Sequence, residues 1–223
     1  MSRVIFVRHG ESVWNEGRRF QGRSDPGLSP RGLAQAARVA ERLRACADPR
    51  SEPGRRGGPL AALYTSPLRR AAATAQVIGQ AVGLGPRLEA DLQEIGLGEW
   101  EGLTPAAIRE RWGEAYPRWQ ENPVGNEPPG GEPMHAFGAR VVAAVERLRA
   151  VHAGEAIVIV SHGGAIRAYL CGILGFGLAS LFRFSLANAS LTEVRVDAPG
   201  ARLTLLNDTS HLSDGASPGA SGL

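Results

Sequence analysis

The sequence contains no lysine, so all 25 of its basic residues are arginines. The 22 acidic residues reduce the formal net charge at pH 7 to only +3. Nucleic-acid-binding domains usually carry a clustered basic stripe, whereas these arginines are scattered along the chain without interleaved aromatic residues. The charge pattern therefore predicts no nucleic-acid partner, and it suits a small anionic ligand.

Cysteines and long apolar runs are also scarce. Cys46 and Cys171 lie far apart and belong to no C-x-x-C pair, which argues against a disulfide framework and a cysteine zinc site. No apolar run has the length of a membrane span. The run at residues 3–7 is too short for the apolar core of a signal peptide. We therefore expect a cytoplasmic protein without a membrane partner.

What the sequence does contain is 43% hydrophobic residues in a chain of 223. A chain of that length buries roughly 70% of its surface on folding, which is enough for one sizeable core. Apolar runs predict buried strands at residues 3–7, 60–64 and 156–160, and later strands near 182–186, 190–196 and 202–207. Helical periodicity follows the early strands, so the fold class is predicted to be α/β, with helices on both faces of a sheet.

Composition also suggests the domain boundaries. We expect residues 1–212 to form a single domain, because neither side of the proline-, glycine- and arginine-rich segment 48–59 could fold alone. That segment is interpreted as an exposed loop. The small, polar residues 213–223 are predicted to form a disordered tail.

The three early strands end in a similar way. They are followed by Arg8-His9-Gly10, by Thr65-Ser66-Pro67-Leu68-Arg69-Arg70, and by Ser161-His162-Gly163-Gly164. If the strands are parallel neighbours, these segments meet at one edge of the sheet, where ligands of α/β proteins bind. Two histidines and two or three arginines are therefore expected to converge there.

The second of these segments breaks a local rule. With Ser66 as the N-cap, Arg69 and Arg70 fall in the first turn of a helix, where the dipole disfavours each cation by roughly 0.3–1 kcal/mol. An anion bound at the helix N-terminus would offset that cost. We therefore assign Arg69 to an anion site and expect Arg70 to point to solvent. Gly163 and Gly164, before a helix start at about Ala165, would let the backbone approach the same anion.

His9 is a poor metal ligand, because the neighbouring Arg8 repels a metal ion. No H-x-H or H-E-x-x-H motif occurs, so the sequence predicts no metal, and nothing in it calls for another cofactor. The same arginine lowers the pKa of the histidine and favours a neutral imidazole, which is the nucleophilic form. The chemistry expected is nucleophilic or acid–base catalysis on an anion.

Five ordered blocks over residues 3–165 resemble the signature of the histidine phosphatase superfamily, which also contains the cofactor-dependent phosphoglycerate mutases. The blocks are Arg8-His9-Gly10-Glu11-Ser12 with Trp14-Asn15, Ser66-Pro67-Leu68-Arg69-Arg70-Ala71 with Thr74-Ala75, Glu94 with Gly98-Glu99-Trp100-Glu101-Gly102, Gly130-Gly131-Glu132, and Ser161-His162-Gly163-Gly164. Gln21-Gly22 and Leu28-Ser29 also stand at the family spacing. The resemblance implies a three-layer, phosphoglycerate mutase-like fold with a mixed, mostly parallel sheet, and no metal requirement.

The resemblance also implies catalytic and binding roles. His9 would take the phosphoryl group, and Arg8, Arg69 and His162 would bind its oxygens. The Gly163 amide and Asn15 would add hydrogen bonds, and Gln21 and Gly22 would complete the substrate-binding residues. Glu94 would protonate the leaving alcohol and later activate water, and the family spacing favours it over Glu89, Asp91, Glu99 and Glu101.

Three functions remain open from the sequence. Mutases of this family usually carry a longer insertion, with a lysine, than the short cap expected here at about residues 100–133. The favoured function is therefore a phosphomonoester hydrolase that acts on a small phosphorylated metabolite through a phosphohistidine. A phosphoglycerate mutase is the first alternative, and an inactive module that binds phosphorylated ligands is the second. Neither the substrate nor the oligomeric state can be predicted, and specificity is expected in residues 18–25, 104–130 and 182–188.

Overall fold

The computed structural model describes residues 1–47, 59–197 and 200–213. Its strands are β1 (Ser2–Arg8), β2 (Leu60–Thr65), β3 (Pro86–Leu88), β4 (Ala156–Ser161), β5 (Leu191–Asp197) and β6 (Gly200–Asp208). Its α-helices are α1 (Val13–Glu16), α2 (Pro30–Ala47), α3 (Arg69–Val82), α4 (Pro105–Trp112), α5 (Ala115–Glu121), α6 (Met134–Val151) and α7 (Gly163–Ile173). The predicted tail beyond residue 213 and residues 48–58 of the predicted loop lie outside the described residues.

The strands form one sheet in the order β3-β2-β4-β1-β5-β6. β1, β2, β3 and β4 run parallel, while β5 pairs antiparallel with β1, and β6 pairs antiparallel with β5. This is the mixed, mostly parallel sheet that was predicted. In the register, Arg8 lies beside Ser161 and Thr65 lies beside Val160. The residues that follow β1, β2 and β4 therefore emerge together at one edge.

Both faces of the sheet are covered, which explains why β1 and β4 read as continuous apolar runs. Alternate residues of β1 enter different cores, because successive side chains of a strand point to opposite faces. Phe6 packs in a core with residues of α6 and α7, whereas Val7 packs in a core with residues of α2 and α3. The architecture is therefore the three-layer α/β fold.

Two helices begin where the sequence predicted, and two do not. Ser29 precedes α2, and Thr104 caps α4 by accepting a hydrogen bond from the Ala107 N–H at 3.3 Å. α7 begins at Gly163, two residues before the predicted start. α3 begins at Arg69 and not at Ser66–Pro67, since Leu68 is still extended.

The strand predicted near 182–186 is wrong. Residues Leu178–Arg183 form a 3₁₀ helix instead. The carbonyl groups of Phe184 and Leu186, which a strand would offer to a neighbour, accept hydrogen bonds from Arg167 and Arg8. Two arginine side chains thus occupy the carbonyl oxygens that hydrogen bonds to a neighbouring strand would need.

The segment at about 100–133, expected as a short cap, contributes α4 and α5. Its aromatic side chains pack tightly, with the Trp100 and Trp119 ring centroids 5.6 Å apart. Phe20 and Phe182 join this cluster from other parts of the chain, at 5.9 Å and 4.6 Å from Trp119. No helix of the described ranges has both the length and the apolar character needed to cross a membrane.

Candidate active site

A cavity opens at the sheet edge where β1, β2 and β4 end. Of the residues predicted from the sequence, it is lined by Arg8, His9, Asn15, Gln21, Gly22, Glu94 and Gly163. Arg70 and Arg167, which were not predicted, also line it, together with apolar residues that include Trp119 and Phe182. Arg69 and His162 are not among the lining residues.

His9 is held as a neutral imidazole with one free nitrogen. Its Nδ1 atom lies 2.7 Å from the carbonyl oxygen of Gly10. Because a carbonyl only accepts hydrogen bonds, Nδ1 carries the hydrogen and Nε2 keeps its lone pair. Burial, then the charges of Arg70 and Arg8, holds the pKa of His9 well below its usual value. The side chain therefore has the protonation state of a nucleophile.

His162 lies beside His9, with ring centroids 5.2 Å apart, and it is completely buried. Its Nε2 is 2.7 Å from Ser66 Oγ, and that hydroxyl accepts from the Leu68 N–H. We assign the Ser66 hydroxyl as the donor to Nε2, and with that assignment the hydrogen of the neutral ring lies on Nδ1. Burial, followed by the charge of Arg70, keeps the pKa of His162 well below its usual value.

Of the two adjacent arginines at the start of α3, Arg70 lines the cavity and Arg69 does not. The Arg70 side chain is 1% exposed, and its Nη2 and Nη1 atoms donate to the carbonyls of Gly22 and Ser24, each at 2.8 Å. Arg69 is exposed, and its backbone N–H donates to Asp25 at 2.6 Å. The expectation that Arg69 lies in the site and Arg70 in solvent must therefore be reversed.

The reversal has a simple helical cause. α3 begins three residues later than Ser66, and successive residues of a helix point about 100° apart. Only one of the two arginines can therefore face the sheet edge. Arg70 lies four and eight residues before Thr74 and Ile78, which are both buried on the inner face. That spacing was the signal in the sequence that favoured Arg70.

Arg8 approaches the cavity from β1. Its Nη1 donates to the carbonyl of Leu186, and its Nε atom faces Gly163, where an added Cβ would lie 3.5 Å away. Burial, with a further contribution from the charge of Arg167, lowers the pKa of Arg8 to about 10. The guanidinium still carries its charge at neutral pH.

Three buried donors beside His9 have no hydrogen-bond partner among the described residues: Arg8 Nε, Arg70 Nε and His162 Nδ1. A buried donor left unpaired costs about 1–3 kcal/mol, and more when it is charged. The N-terminus of α7, with the Gly163 backbone, lies at the same place, and helix N-termini attract anions. These groups together are suited to a tetrahedral, multiply charged oxyanion.

Two backbone N–H groups hold the carboxylate of Glu94 at the cavity. Its Oε2 accepts from the Gly164 N–H at 2.9 Å and its Oε1 accepts from the Ile95 N–H at 3.0 Å. A Cβ at position 164 would lie 2.2 Å from Glu94 Oε1, so any residue other than glycine there would push the Glu94 carboxylate from this position. Arg140 fixes the backbone by donating to the Glu94 and Gln93 carbonyls.

The other acidic residues of this region are engaged elsewhere or lie in solvent. Glu89 and Asp91 pair with Arg147 at 2.8 Å and 3.7 Å, and Glu99 is exposed. None of these three lines the cavity. Among the candidates that the sequence left open, the geometry therefore favours Glu94.

Glu101 has a positioning role that the sequence did not reveal. Its carboxylate accepts hydrogen bonds from the backbone N–H groups of Arg23, Ser24 and Leu97, and from the Ser24 hydroxyl at 2.6 Å. Gly22 has a positive φ of 52°, and a Cβ there would collide with this carboxylate. Glu101 thus ties residues 22–24, which hold Arg70, to the segment that carries Glu94.

Asn15 and Gln21 present amide groups to the cavity. Asn15 Oδ1 accepts from the Ser12 N–H at 3.1 Å, and Gln21 Oε1 accepts from the Ser12 hydroxyl at 2.8 Å. With both oxygens occupied, the two NH₂ groups remain as donors. The described residues contain no group of three or more histidine, cysteine or acidic side chains placed to hold a metal ion.

Comparison with known proteins adds independent findings. The family model described as "Histidine phosphatase superfamily (branch 1)" matches residues 4–209. Phosphoserine phosphatase 1 of Hydrogenobacter thermophilus is 35% identical over 96% of this chain and 96% of its own length. The probable phosphoglycerate mutase GpmB of Yersinia pestis is 33% identical, with 95% of each chain covered.

Among solved structures, a mycobacterial glucosyl-3-phosphoglycerate phosphatase in complex with VO3 superposes with a TM-score of 0.81. It is 32% identical to this chain, and the match covers 93% of this chain and 99% of the other.

The first prediction concerns the two adjacent arginines. Arg70→Ala should weaken binding of orthovanadate, a tetrahedral oxyanion, by about 10- to 150-fold, because a hydrogen bond to a charged group contributes about 1.5–3 kcal/mol. Isothermal titration calorimetry measures this directly. Arg69→Ala is the matched control and should bind within about twofold of the unchanged chain. The opposite order of the two variants would contradict the assignment.

Proposed function

The chain belongs to branch 1 of the histidine phosphatase superfamily and is a phosphatase, and we propose that it forms its phosphohistidine on His9. The observation that carries the proposal is a neutral imidazole with a free Nε2 beside three buried donors that find no partner in the described part of the chain. The substrates proposed are small phosphorylated metabolites, since relatives of similar length are named for such compounds.

In the first step, His9 Nε2 attacks phosphorus while the bond from phosphorus to the leaving alcohol breaks. The protonated form of Glu94 gives its proton to the departing oxygen. The hydrogen on His9 Nδ1 stays bonded to the Gly10 carbonyl, which supports the positive charge that the ring acquires. The phosphoryl oxygens are bound by Arg8, Arg70 and the His162 Nδ1–H.

In the second step, water attacks the phosphohistidine on the side from which the alcohol left. Glu94, now a carboxylate, takes a proton from this water, and His9 departs as a neutral imidazole. Orthophosphate is released and Glu94 ends in its protonated form, so the enzyme returns to its starting state. The same carboxyl group thus acts first as an acid and then as a base.

The magnitudes indicate which groups matter most. Acceleration of phosphate-monoester hydrolysis can approach ~10²¹-fold, or about 28 kcal/mol. General acid catalysis contributes about 10²- to 10⁴-fold, so Glu94 supplies a minority of that amount. The larger share must come from positioning and from fixed cations around a transition state whose charge is spread over three oxygens. Arg8 and Arg70, both buried, are placed for this task.

The short cap supports hydrolysis over phosphoryl transfer to a second substrate. Between Gly102 and Gly131 the chain places only α4, α5 and a connecting segment. We infer that a cap of this size, within one domain spanning residues 1–212, gives water access to the phosphohistidine. A mutase instead has to exclude water from its phosphoenzyme. The cytoplasmic location stays a prediction.

The proposed intermediate is tested by single-turnover labelling with a ³²P-labelled phosphomonoester followed by a rapid quench. We expect acid-labile, alkali-stable label on His9, its loss in His9→Ala, and release of free phosphate at each turnover. Phosphate binding without label would indicate an inactive binding module. Rapid formation of 2-phosphoglycerate from 3-phosphoglycerate with a trace of 2,3-bisphosphoglycerate, and little free phosphate, would indicate a mutase.

A further prediction separates the two steps at Glu94. Glu94→Gln should lower kcat for alkyl phosphates by about 10²- to 10⁴-fold, because both the acid and the base are removed. With p-nitrophenyl phosphate, whose leaving group needs no proton, this variant should still form the phosphohistidine and should accumulate it.

The matched control for this variant is Glu99→Gln, at an exposed position of the same segment. Its kcat should stay within about twofold of the unchanged enzyme. Equal losses in both variants would contradict the assignment of Glu94.

A further inference from the structure

Arg167 is a second cationic feature of the cavity that the proposed phosphoryl chemistry does not use. It lies on α7 four residues after Gly163, about 6 Å further along the helix axis, and it lines the same cavity. Its Nε donates to the Phe184 carbonyl at 2.8 Å. Among the described residues its two Nη groups have neither a hydrogen bond nor a carboxylate within 4.0 Å.

The surroundings of Arg167 make this charge costly. The cavity that it lines is partly apolar, with Trp119 and Phe182 among the lining residues, and burial lowers the pKa of the Arg167 guanidinium. Its charge also lowers the pKa of Arg8, and within residues 1–47, 59–197 and 200–213 no ion pair with Arg167 offsets this repulsion. The carboxylate form of Glu94 raises the pKa of both arginines, whereas the protonated form that begins the proposed reaction offers them no charge. Arg167 is only partly buried, and because its Nη groups have no partner among the described residues, they are available to a ligand in the cavity.

The charge balance of the cavity indicates what that ligand carries. Arg8, Arg70 and Arg167 are the lining arginines that are not exposed, and with Glu94 in the protonated form that begins the proposed reaction they give the cavity three positive charges. A phosphomonoester dianion neutralises two of these charges. One more negative charge on the substrate completes the balance, whereas a second phosphate dianion would exceed it.

Arg167 is the arginine placed to bind the additional negative charge of the substrate. Arg8 and Arg70 are committed to the phosphoryl group, and Arg19 is exposed, so solvent screens it. A planar guanidinium with two free Nη groups matches a carboxylate in a bidentate arrangement.

We propose that Arg167 binds a carboxylate of the substrate, so that the preferred substrates are small phosphomonoesters that also carry a carboxylate. This proposal rests on the phosphatase function proposed above, and it adds the substrate class and the residue that selects it.

The test compares two substrates that differ only in the carboxylate, O-phospho-L-serine and O-phosphoethanolamine. The unchanged enzyme should show a kcat/KM that is about 10- to 150-fold higher for phosphoserine, the value of a charge-assisted hydrogen bond of about 1.5–3 kcal/mol. Arg167→Gln should reduce this preference by at least tenfold, mainly through the KM for phosphoserine. Arg167→Lys should keep part of it. A second pair, 3-phosphoglycerate and glycerol 3-phosphate, should show the same pattern.

The control is Arg183→Gln, which removes an exposed arginine near the cavity that is not among its lining residues. It should leave the preference unchanged. The proposal would be overturned if the unchanged enzyme hydrolysed both members of each pair with equal kcat/KM. It would also be overturned if Arg167→Gln lowered kcat/KM equally for both members, because that is the result expected of a purely structural contact with Phe184. Failure to hydrolyse any of the four esters, with no phosphohistidine, would instead contradict the phosphatase function.

Discussion

The site depends on two buried guanidinium groups that have no carboxylate closer than 4.0 Å among the described residues. Arg8 and Arg70 are held by backbone carbonyls, those of Leu186, Gly22 and Ser24, and Asp25 comes no nearer than 4.0 Å to Arg70. Carbonyl dipoles fix the position of a cation but do not cancel its charge. That charge stays available to an anionic ligand, and it also keeps the neighbouring imidazoles neutral.

The fold supplies these positions through contacts between distant segments. Parallel pairing brings the ends of β1 and β4 level, and the Ser66 hydroxyl then anchors His162 beside His9. Glu101 joins the loop that holds Arg70 to the segment that carries Glu94. A change in any of these contacts would shift a charge relative to the phosphoryl group, and positioning is the larger part of the catalysis proposed.

Local patterns in the sequence were sufficient for much of the fold and part of the site. His9 and His162 could be placed because each directly follows an apolar strand, and parallel strands of a doubly covered sheet end together. Arg70 was misplaced because the first turn of α3 sets which of two adjacent arginines faces inward, and that turn starts at Arg69 and not at the Ser66 that the sequence suggested. The strand predicted near 182–186 does not form, and the carbonyls of Phe184 and Leu186 accept hydrogen bonds from Arg167 and Arg8. The roles of Glu101 and Arg167 arise from packing between segments far apart in the chain, which no local pattern encodes.

The central claim is that His9 is neutral, with its hydrogen on Nδ1 and its Nε2 free, because it is buried beside two unneutralised arginines. NMR of the ¹⁵N-labelled imidazole over pH about 5 to 8 tests this most directly. We expect an Nδ1–H tautomer whose signals do not titrate in this range. A titration near the ordinary histidine pKa of about 6.5, or a hydrogen on Nε2, would contradict it.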